Sequence, residues 1–258
     1  MLELRSILIK NAEIRSKTGS KMSKTYYLFA ENIQTDSPQS LFDPVFWQAQ
    51  QAILGSAKGR GITYFLNTKD RWGVNCALRH YYRGGLFGKL VKDHFLFSGI
   101  NQCRSIKEFN LLQQLKQKNL PVPKPIAARV IRSGCYYQAD ILIELIENGQ
   151  DLVAILQKHP LEHDVWRNIG KLIRQLHDQQ VFHSDLNAHN ILLQSLENQK
   201  DKLWLLDFDK CDFQSGDNWK QENLQRLQRS FQKEVKRYHI HFNENNWQQL
   251  LNGYKDKN

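Results

Sequence analysis

Three oxygen-bearing side chains stand at spacings that suit phosphoryl transfer. Asp185 lies within His183-Ser184-Asp185-Leu186-Asn187-Ala188-His189-Asn190, and Asp207 follows the apolar run Leu203-Trp204-Leu205-Leu206. An alcohol is a weak nucleophile. A carboxylate beside it can orient the O–H and accept its proton as the P–O bond forms. Asn190 and Asp207 are hard oxygen donors of the kind Mg2+ prefers, with nucleotide phosphates completing its shell. Asp185 is thus the candidate catalytic carboxylate, and Asn190 and Asp207 are the candidate Mg2+ ligands beside ATP. His183 reads as a brace for the loop rather than as a base. His, Asp and Asn also favour turns, so the H-x-D-x-x-x-x-N spacing alone is weak. Leu176-His177 upstream, Asn190-Ile191-Leu192-Leu193 and the later strand ending in Asp207-Phe208 make the compound pattern specific.

These side chains need rigid carriers. Val165, Ile169, Leu172, Ile173 and Leu176 recur at helical spacing and predict a helix ending near His177. Ile191–Leu193 and Leu203–Leu206 read as short strands around a polar turn. Upstream, the Gly-rich segment 55–61 reads as a loop opening a β-meander. Ile62–Leu66 forms its first strand, Lys69–Gly73 a turn and Val74–Tyr82 the returning strand. Phe109, Leu111, Leu112 and Leu115 predict a helix that the prolines at 121, 123 and 125 stop. Cys135–Ile146 is strand text broken at Asn148-Gly149, and Asp151 reads as the N-cap of a helix through Leu156. Trp219–Lys236 and Trp247–Leu251 read as helical. Between Tyr26 and Phe46 the text is mixed, with a turn near Asp36-Ser37-Pro38. Strands dominate the front and helices the back, which predicts an α+β chain of two lobes. The expected division is a flexible tail at 1–25, in which Met22 is an alternative start, a β-rich nucleotide-binding lobe at 26–147 and a helical lobe at 148–258. The second lobe would carry the catalytic loop, the metal site and the acceptor site.

Bulk composition narrows the setting. The chain has 258 residues, 41% of them hydrophobic, which supports a sizeable core and argues against global disorder. A formal net charge of +10 favours anionic partners. The charge alone also suits nucleic acid, but no zinc-finger or RNA-binding signature accompanies it, so no nucleic-acid partner is expected. Cys76, Cys103, Cys135 and Cys211 are widely spaced and read as reduced thiols. The sequence holds neither a signal peptide nor an apolar run of membrane-spanning length. Any membrane contact is therefore expected to be peripheral.

From about Gly55 to Asp209 the chain resembles the protein-kinase-like superfamily, and within it the lipopolysaccharide-core sugar kinases. Four stretches carry the resemblance: Gly55-Ser-Ala-Lys-Gly-Arg-Gly61, Ala77-Leu-Arg-His-Tyr-Tyr-Arg-Gly-Gly85, Pro121-Val-Pro-Lys-Pro125 and His183-Ser-Asp-Leu-Asn-Ala-His-Asn-Ile-Leu192. The resemblance implies a two-lobed protein-kinase-like fold. It also implies ATP-dependent phosphorylation of the 4-hydroxyl of a 3-deoxy-D-manno-octulosonic acid (Kdo) residue on lipid A. Such enzymes work at the cytoplasmic face of the Gram-negative inner membrane. Another acceptor (a heptose, an aminoglycoside-type small molecule or a protein Ser/Thr) and a non-catalytic ATP-binding scaffold remain alternatives.

Residue by residue, the resemblance implies that backbone N–H groups of Gly55, Ser56, Lys58, Gly59 and Gly61 approach the ATP phosphates, with Lys58 and Arg60 adding charge. Arg79 stands where the usual kinase carries a strand lysine, and Glu108 is the matching helix glutamate. Glu108 also has capping-box spacing from Ser105. Glu144 to Ile146 would hold adenine through its backbone. Asp207-Phe208-Asp209 lacks the usual third glycine, and no Ala-Pro-Glu follows, which points away from a regulated protein kinase. Arg83 and Lys89, with Lys92, are candidate acceptor-binding residues or a solvated basic face. Lys210, Arg226, Arg229, Lys233, Lys236 and Arg237 form a second basic set, suited to acidic lipid or to solubility. His183, His189, His239 and His241 do not form a zinc set.

Overall fold

The structure is a computed structural model that describes residues 10–12, 23–31, 33–59, 61–84, 92–196 and 201–256. Its contacts divide the chain into two compact units, Met1–Gln113 with Lys124–Leu145, and Gln114–Pro123 with Ile146–Asn258.

The first unit is built from β1 (Lys10–Ala12), β2 (Ser23–Phe29), α1 (Pro44–Ala49), β3 (Ile53–Lys58), β4 (Ile62–Leu66), α2 (Lys69–Trp72), β5 (Cys76–His80), β6 (Phe95–Leu96), α3 (Arg104–Gln117), β7 (Pro125–Ser133) and β8 (Tyr136–Glu144). The strands pair antiparallel in the order β1-β2-β7-β8-β5-β4-β3, and β6 joins β8. Period-2 alternation gives the sheet two apolar faces. Cys76 and Leu78 of β5 join Tyr27, Phe42, Trp47 and Leu142 on one side. Tyr81 joins Phe109, Ile106, Val130 and Ile141 on the other, where α3 packs. Arg79 is thereby aimed at α3.

Three segments differ from the sequence reading. β2 pairs with β7 from Ser23↔Ser133 to Phe29↔Ala127, and neither strand is evident from pattern alone. Tyr26 to Phe29 is an unbroken apolar run, and β7 opens on Pro125 at a bulge, where a missing N–H is tolerated. The expected turn at Lys69–Gly73 is the short helix α2, closed by Gly73 at φ 75°. The Gly-rich segment is mostly strand: Gly55, Ser56 and Lys58 lie on β3, and the turn is confined to its end, where the Gly59 N–H donates to the Gly61 carbonyl at 2.8 Å.

The second unit contains β9 (Gly149–Asp151), α4 (Leu152–Leu156), α5 (His163–Asp178), β10 (Val181–Phe182), β11 (Ile191–Gln194), β12 (Lys202–Leu205), β13 (Asp212–Phe213), α6 (Asn218–Tyr238) and α7 (Glu244–Lys255). Asp151 caps α4, accepting from the Val153 and Ala154 N–H groups at 3.0 and 3.1 Å. α5 buries Ile169, Leu172, Ile173 and Leu176 of the face its periodicity predicts, while Trp166 rather than the half-buried Val165 opens that face. It lies so close to α7 that a Cβ at Gly170 would stand 2.0 Å from the Leu250 carbonyl oxygen. β12-β11-β9 form a small sheet, and β10 pairs with β13. The His183–Asn190 motif fills the connection from β10 to β11.

Candidate active site

The loop from His183 to Asn190 is tied into one shape by its own amides. The Asp185 carbonyl accepts from Asn187 Nδ2 at 3.0 Å and from Asn190 Nδ2 at 2.9 Å. Asn187 Oδ1 in turn accepts from the His189 and Asn190 N–H groups at 2.9 and 3.1 Å, which starts a short 3₁₀ turn. Two asparagines thus satisfy backbone groups that a free loop would leave to water. The Leu206 N–H donates to the Asn190 carbonyl at 2.9 Å, so the loop and the end of β12 are joined directly. Asp207 follows at φ 59°, a left-handed conformation that Asp tolerates better than most side chains. The structure therefore brings Asp185, Asn190 and Asp207 into one connected assembly.

That assembly suits a hard cation. Asn190 Nδ2 is spent on the Asp185 carbonyl, so Asn190 Oδ1 is the end of the amide that could serve a metal. Among the described residues no group of three or more His, Cys, Asp or Glu side chains can hold a metal alone. An amide oxygen with one carboxylate is the donor set that Mg2+ accepts when phosphates supply the rest.

A buried relay fixes the loop from behind. His183 is fully buried, its Nε2–H donates to the Leu206 carbonyl at 3.0 Å, and its Nδ1 accepts from the Asp185 N–H at 3.3 Å. Both ring nitrogens are used as in a neutral imidazole, and burial lowers its pKa. The ring also packs on buried Phe208 at 4.9 Å between centroids. The His183 carbonyl accepts from Asn223 Nδ2 of α6 at 2.8 Å. With that amide orientation set, Asn223 Oδ1 accepts from His177 Nε2–H of α5 at 3.1 Å, and the Tyr254 hydroxyl of α7 donates to His177 Nδ1 at 2.8 Å. The expected role of His183 as a brace is visible in these contacts. Asn223 and Tyr254 carry no sequence signal of this role; a helical Asn and a Tyr on α7 meet the loop only when α5, α6 and α7 converge.

Asp185 itself forms an ion pair with Arg226 of α6, and both side chains are 44% exposed. This contact also escaped the sequence reading, which placed Arg226 in a diffuse basic set. A cavity of about 390 Å3 opens beside it, lined by Asp185, Asn187, His189, Arg226, Arg229 and Lys233 among others.

In the first unit, Arg79 Nη2 contacts both carboxylate oxygens of Glu108 at 2.7 and 2.6 Å. The Tyr81 hydroxyl donates to the same carboxylate at 2.6 Å. The Ser105 hydroxyl instead donates to the Arg129 carbonyl at 3.1 Å, so the Glu108 side chain serves the ion pair rather than a capping box. The Glu144 N–H donates to the Lys124 carbonyl and the Leu145 N–H to the Asn75 carbonyl, both at 2.8 Å. The Glu144 carboxylate accepts from the Lys124 N–H at 2.9 Å. The N–H groups of Glu144 and Leu145 are therefore spent inside the protein. Arg83 donates from Nε to the His94 carbonyl at 2.6 Å and lies over the Phe95 ring. Arg60, Gly85 and Lys89 lie outside the described residues.

The sequence profile of the lipopolysaccharide kinase (Kdo/WaaP) family matches residues 45–254. The chain belongs to that family. A 3-deoxy-D-manno-octulosonic acid kinase of Haemophilus influenzae (strain PittEE) is 58% identical over 231 residues, covering 89% of this chain and 95% of that one. Another, from Mannheimia succiniciproducens, is 54% identical over 232 residues, covering 90% of this chain and 96% of that one. The solved structure of WaaP in complex with acyl carrier protein matches with a TM-score of 0.55 at 14% identity, over 86% of this chain and 87% of that chain. At that identity the match speaks for the fold, which is protein-kinase-like and α+β.

Proposed function

We propose that this chain transfers the terminal phosphoryl group of ATP to the 4-hydroxyl of a Kdo residue on lipid A, in lipopolysaccharide core biosynthesis. One observation carries the reading: the Asp185–Asn190–Asp207 assembly stands intact in a chain 58% identical to a Kdo kinase over 89% of its length. The enzyme is a phosphotransferase with an alcohol group as acceptor. Asp185 orients the hydroxyl and takes its proton as the P–O bond forms. Asn190 Oδ1 and the Asp207 carboxylate hold Mg2+, which neutralises phosphate charge when bound. The amide bonds that freeze Asp185 against Asn190 preserve their relative geometry, the main resource of a reaction driven by positioning.

In the first unit, the β3–β4 hairpin presents Gly55, Ser56, Lys58, Gly59 and Gly61 to the phosphates. Arg79, held by Glu108, replaces the usual lysine; its guanidinium keeps the charge and can bridge two phosphate oxygens. With the Glu144 and Leu145 N–H groups already used, Ile146 offers the next backbone donor for adenine, and Glu144 anchors the segment. The expected division into a nucleotide-binding 26–147 and an acceptor-binding 148–258 belongs to this proposal. So do an acceptor-binding role for Arg83 and Lys89 and peripheral attachment at the cytoplasmic face of the inner membrane, where Lys236 and Arg237 of α6 would meet acidic lipid. No described helix is long and apolar enough to cross a membrane.

Incubation of the purified protein with labelled ATP, Mg2+ and a panel of acceptors tests the reading. Label on the Kdo 4-hydroxyl of Kdo-lipid A, located by NMR, is the expected result. Preferential labelling of a heptose, a small-molecule antibiotic or a protein serine overturns it.

A further inference from the structure

The cavity beside Asp185 has a charge pattern that the phosphoryl-transfer chemistry does not require. Arg226, Arg229 and Lys233 recur at i, i+3 and i+7 on α6, and so share one face of the helix and one wall of the cavity. Like charges at these spacings destabilise a helix. Arg226 pairs with Asp185, whereas Arg229 and Lys233 have no ion-pair partner among the described residues. Buried Glu234, the other carboxylate of the cavity, lies 3.9 Å from His189 Nε2 rather than on either cation. Lys236 and Arg237 continue the basic set along α6 but do not line this space. Two uncompensated cations therefore face the volume in which the acceptor hydroxyl must meet Asp185. At about 390 Å3 the cavity falls in the size class of small-ligand sites.

We propose that Arg229 and Lys233, with Arg226 between them and Asp185, form the recognition site for the carboxylate of the sugar-acid acceptor. This deepens the Kdo kinase reading and rests on it. The carboxylate belongs to the same monosaccharide as the hydroxyl that is phosphorylated. Placing that hydroxyl at Asp185 brings the carboxylate within one sugar's width of it, and Arg229, about one turn along α6 from Arg226, lines the same wall, with Lys233 one turn further. Lipid phosphates share the anionic oxygen chemistry but sit on other sugars of the acceptor. A bound carboxylate also offers Arg226 a second anion, loosening its hold on Asp185 and leaving that charge to the hydroxyl. A neutral sugar has no such lever, so the site selects for an acid.

The test compares Kdo-lipid A, its Kdo methyl ester and its dephosphorylated lipid form as acceptors for the wild type and for the Arg229→Gln/Lys233→Gln double variant. Both side chains are exposed, so the variant is expected to match the wild type in thermal denaturation. With the acid acceptor, the variant should raise the acceptor KM roughly 10- to 100-fold, the size of a lost charge-assisted pair. The ester should cost the wild type a similar factor, and ester and variant together should cost little more than either alone. Additive losses, or a KM within twofold of wild type, overturn the proposal. A variant effect that vanishes on the dephosphorylated lipid but persists on the ester assigns the site to lipid phosphates and also overturns it. If the wild type does not phosphorylate Kdo at all, the kinase reading fails separately. Calorimetric titration of free Kdo against its methyl ester then decides the site: tighter binding of the acid, lost in the variant, supports it, and equal binding refutes it.

Discussion

Replacing Asn223 with Ala should damage the catalytic loop without touching a group that meets substrate. Asn223 is 1% exposed and spends both ends of its amide, donating to the His183 carbonyl at 2.8 Å and accepting from His177 Nε2–H at 3.1 Å. The Ala variant leaves one buried acceptor and one buried donor unsatisfied. Each costs about 1–3 kcal/mol, so the expected loss is about 2–6 kcal/mol. For a chain of this size that lowers Tm by roughly 5–20 °C, measured by thermal denaturation. The freed carbonyl belongs to the residue two positions before Asp185, and a displacement of about 1 Å there can cost on the order of 10²-fold in turnover. The kinetic signature is a fall in kcat measured below Tm, with the KM for ATP little changed. Asn223→Asp separates the two halves of the contact: an acceptor for His177 remains while the donor to His183 is lost. With a buried carboxylate oxygen now set against that carbonyl, it should be no more stable than the Ala variant and should share its fall in kcat. An Ala variant within about 2 °C of the wild-type Tm, or one with wild-type kcat, would refute the relay as a positioning element.

Two further predictions concern charge. Burial, which outweighs the bond to Asn223, pushes the His177 imidazole down to about 4, so the folded protein excludes a proton that the unfolded chain binds near 6.5. Stability from this group is complete above about pH 6.5 and is lost as pH falls toward 4, by about 3 kcal/mol. Urea unfolding at pH 7 and pH 4.5 should show this loss, and His177→Gln should flatten it; an unchanged pH slope in that variant would count against the assignment. Arg79→Met takes the Arg79 cation away from the Glu108 carboxylate, whose side chain is 1% exposed and keeps the Tyr81 hydroxyl, and should cost up to about 3–5 kcal/mol together with ATP affinity. Adding Glu108→Gln should recover much of the stability but none of the ATP affinity, and recovery of both in thermal denaturation and ATP titration would remove Arg79 from the phosphate site.

What the sequence made legible was local, and what it concealed was convergent. The Asp185–Asn190 motif, the Asp207 strand and the apolar face of α5 are short-range patterns, and the structure builds each as its spacing predicts. The pairing of Arg79 with Glu108 was readable through the family resemblance, since 29 positions separate the two residues and only the sheet brings them together. β2 and β7 were hidden because an apolar run and a leading proline mask strand alternation, and each finds its partner across about a hundred residues. The ion pair of Asp185 with Arg226 and the chain Tyr254–His177–Asn223–His183 join different helices to one loop. No periodicity encodes such meetings.

The most direct test of the account is turnover of Kdo-lipid A with Mg2+ and ATP by the Asp185→Asn variant, beside the wild type. The substitution keeps shape and removes the charge, and the backbone carbonyl that ties Asp185 to Asn187 and Asn190 is unaffected. The account predicts wild-type folding, retained ATP binding and a kcat reduced by roughly 10²–10⁴-fold, the range of a lost general base. A folded Asp185→Asn protein that phosphorylates Kdo at the wild-type rate would contradict it.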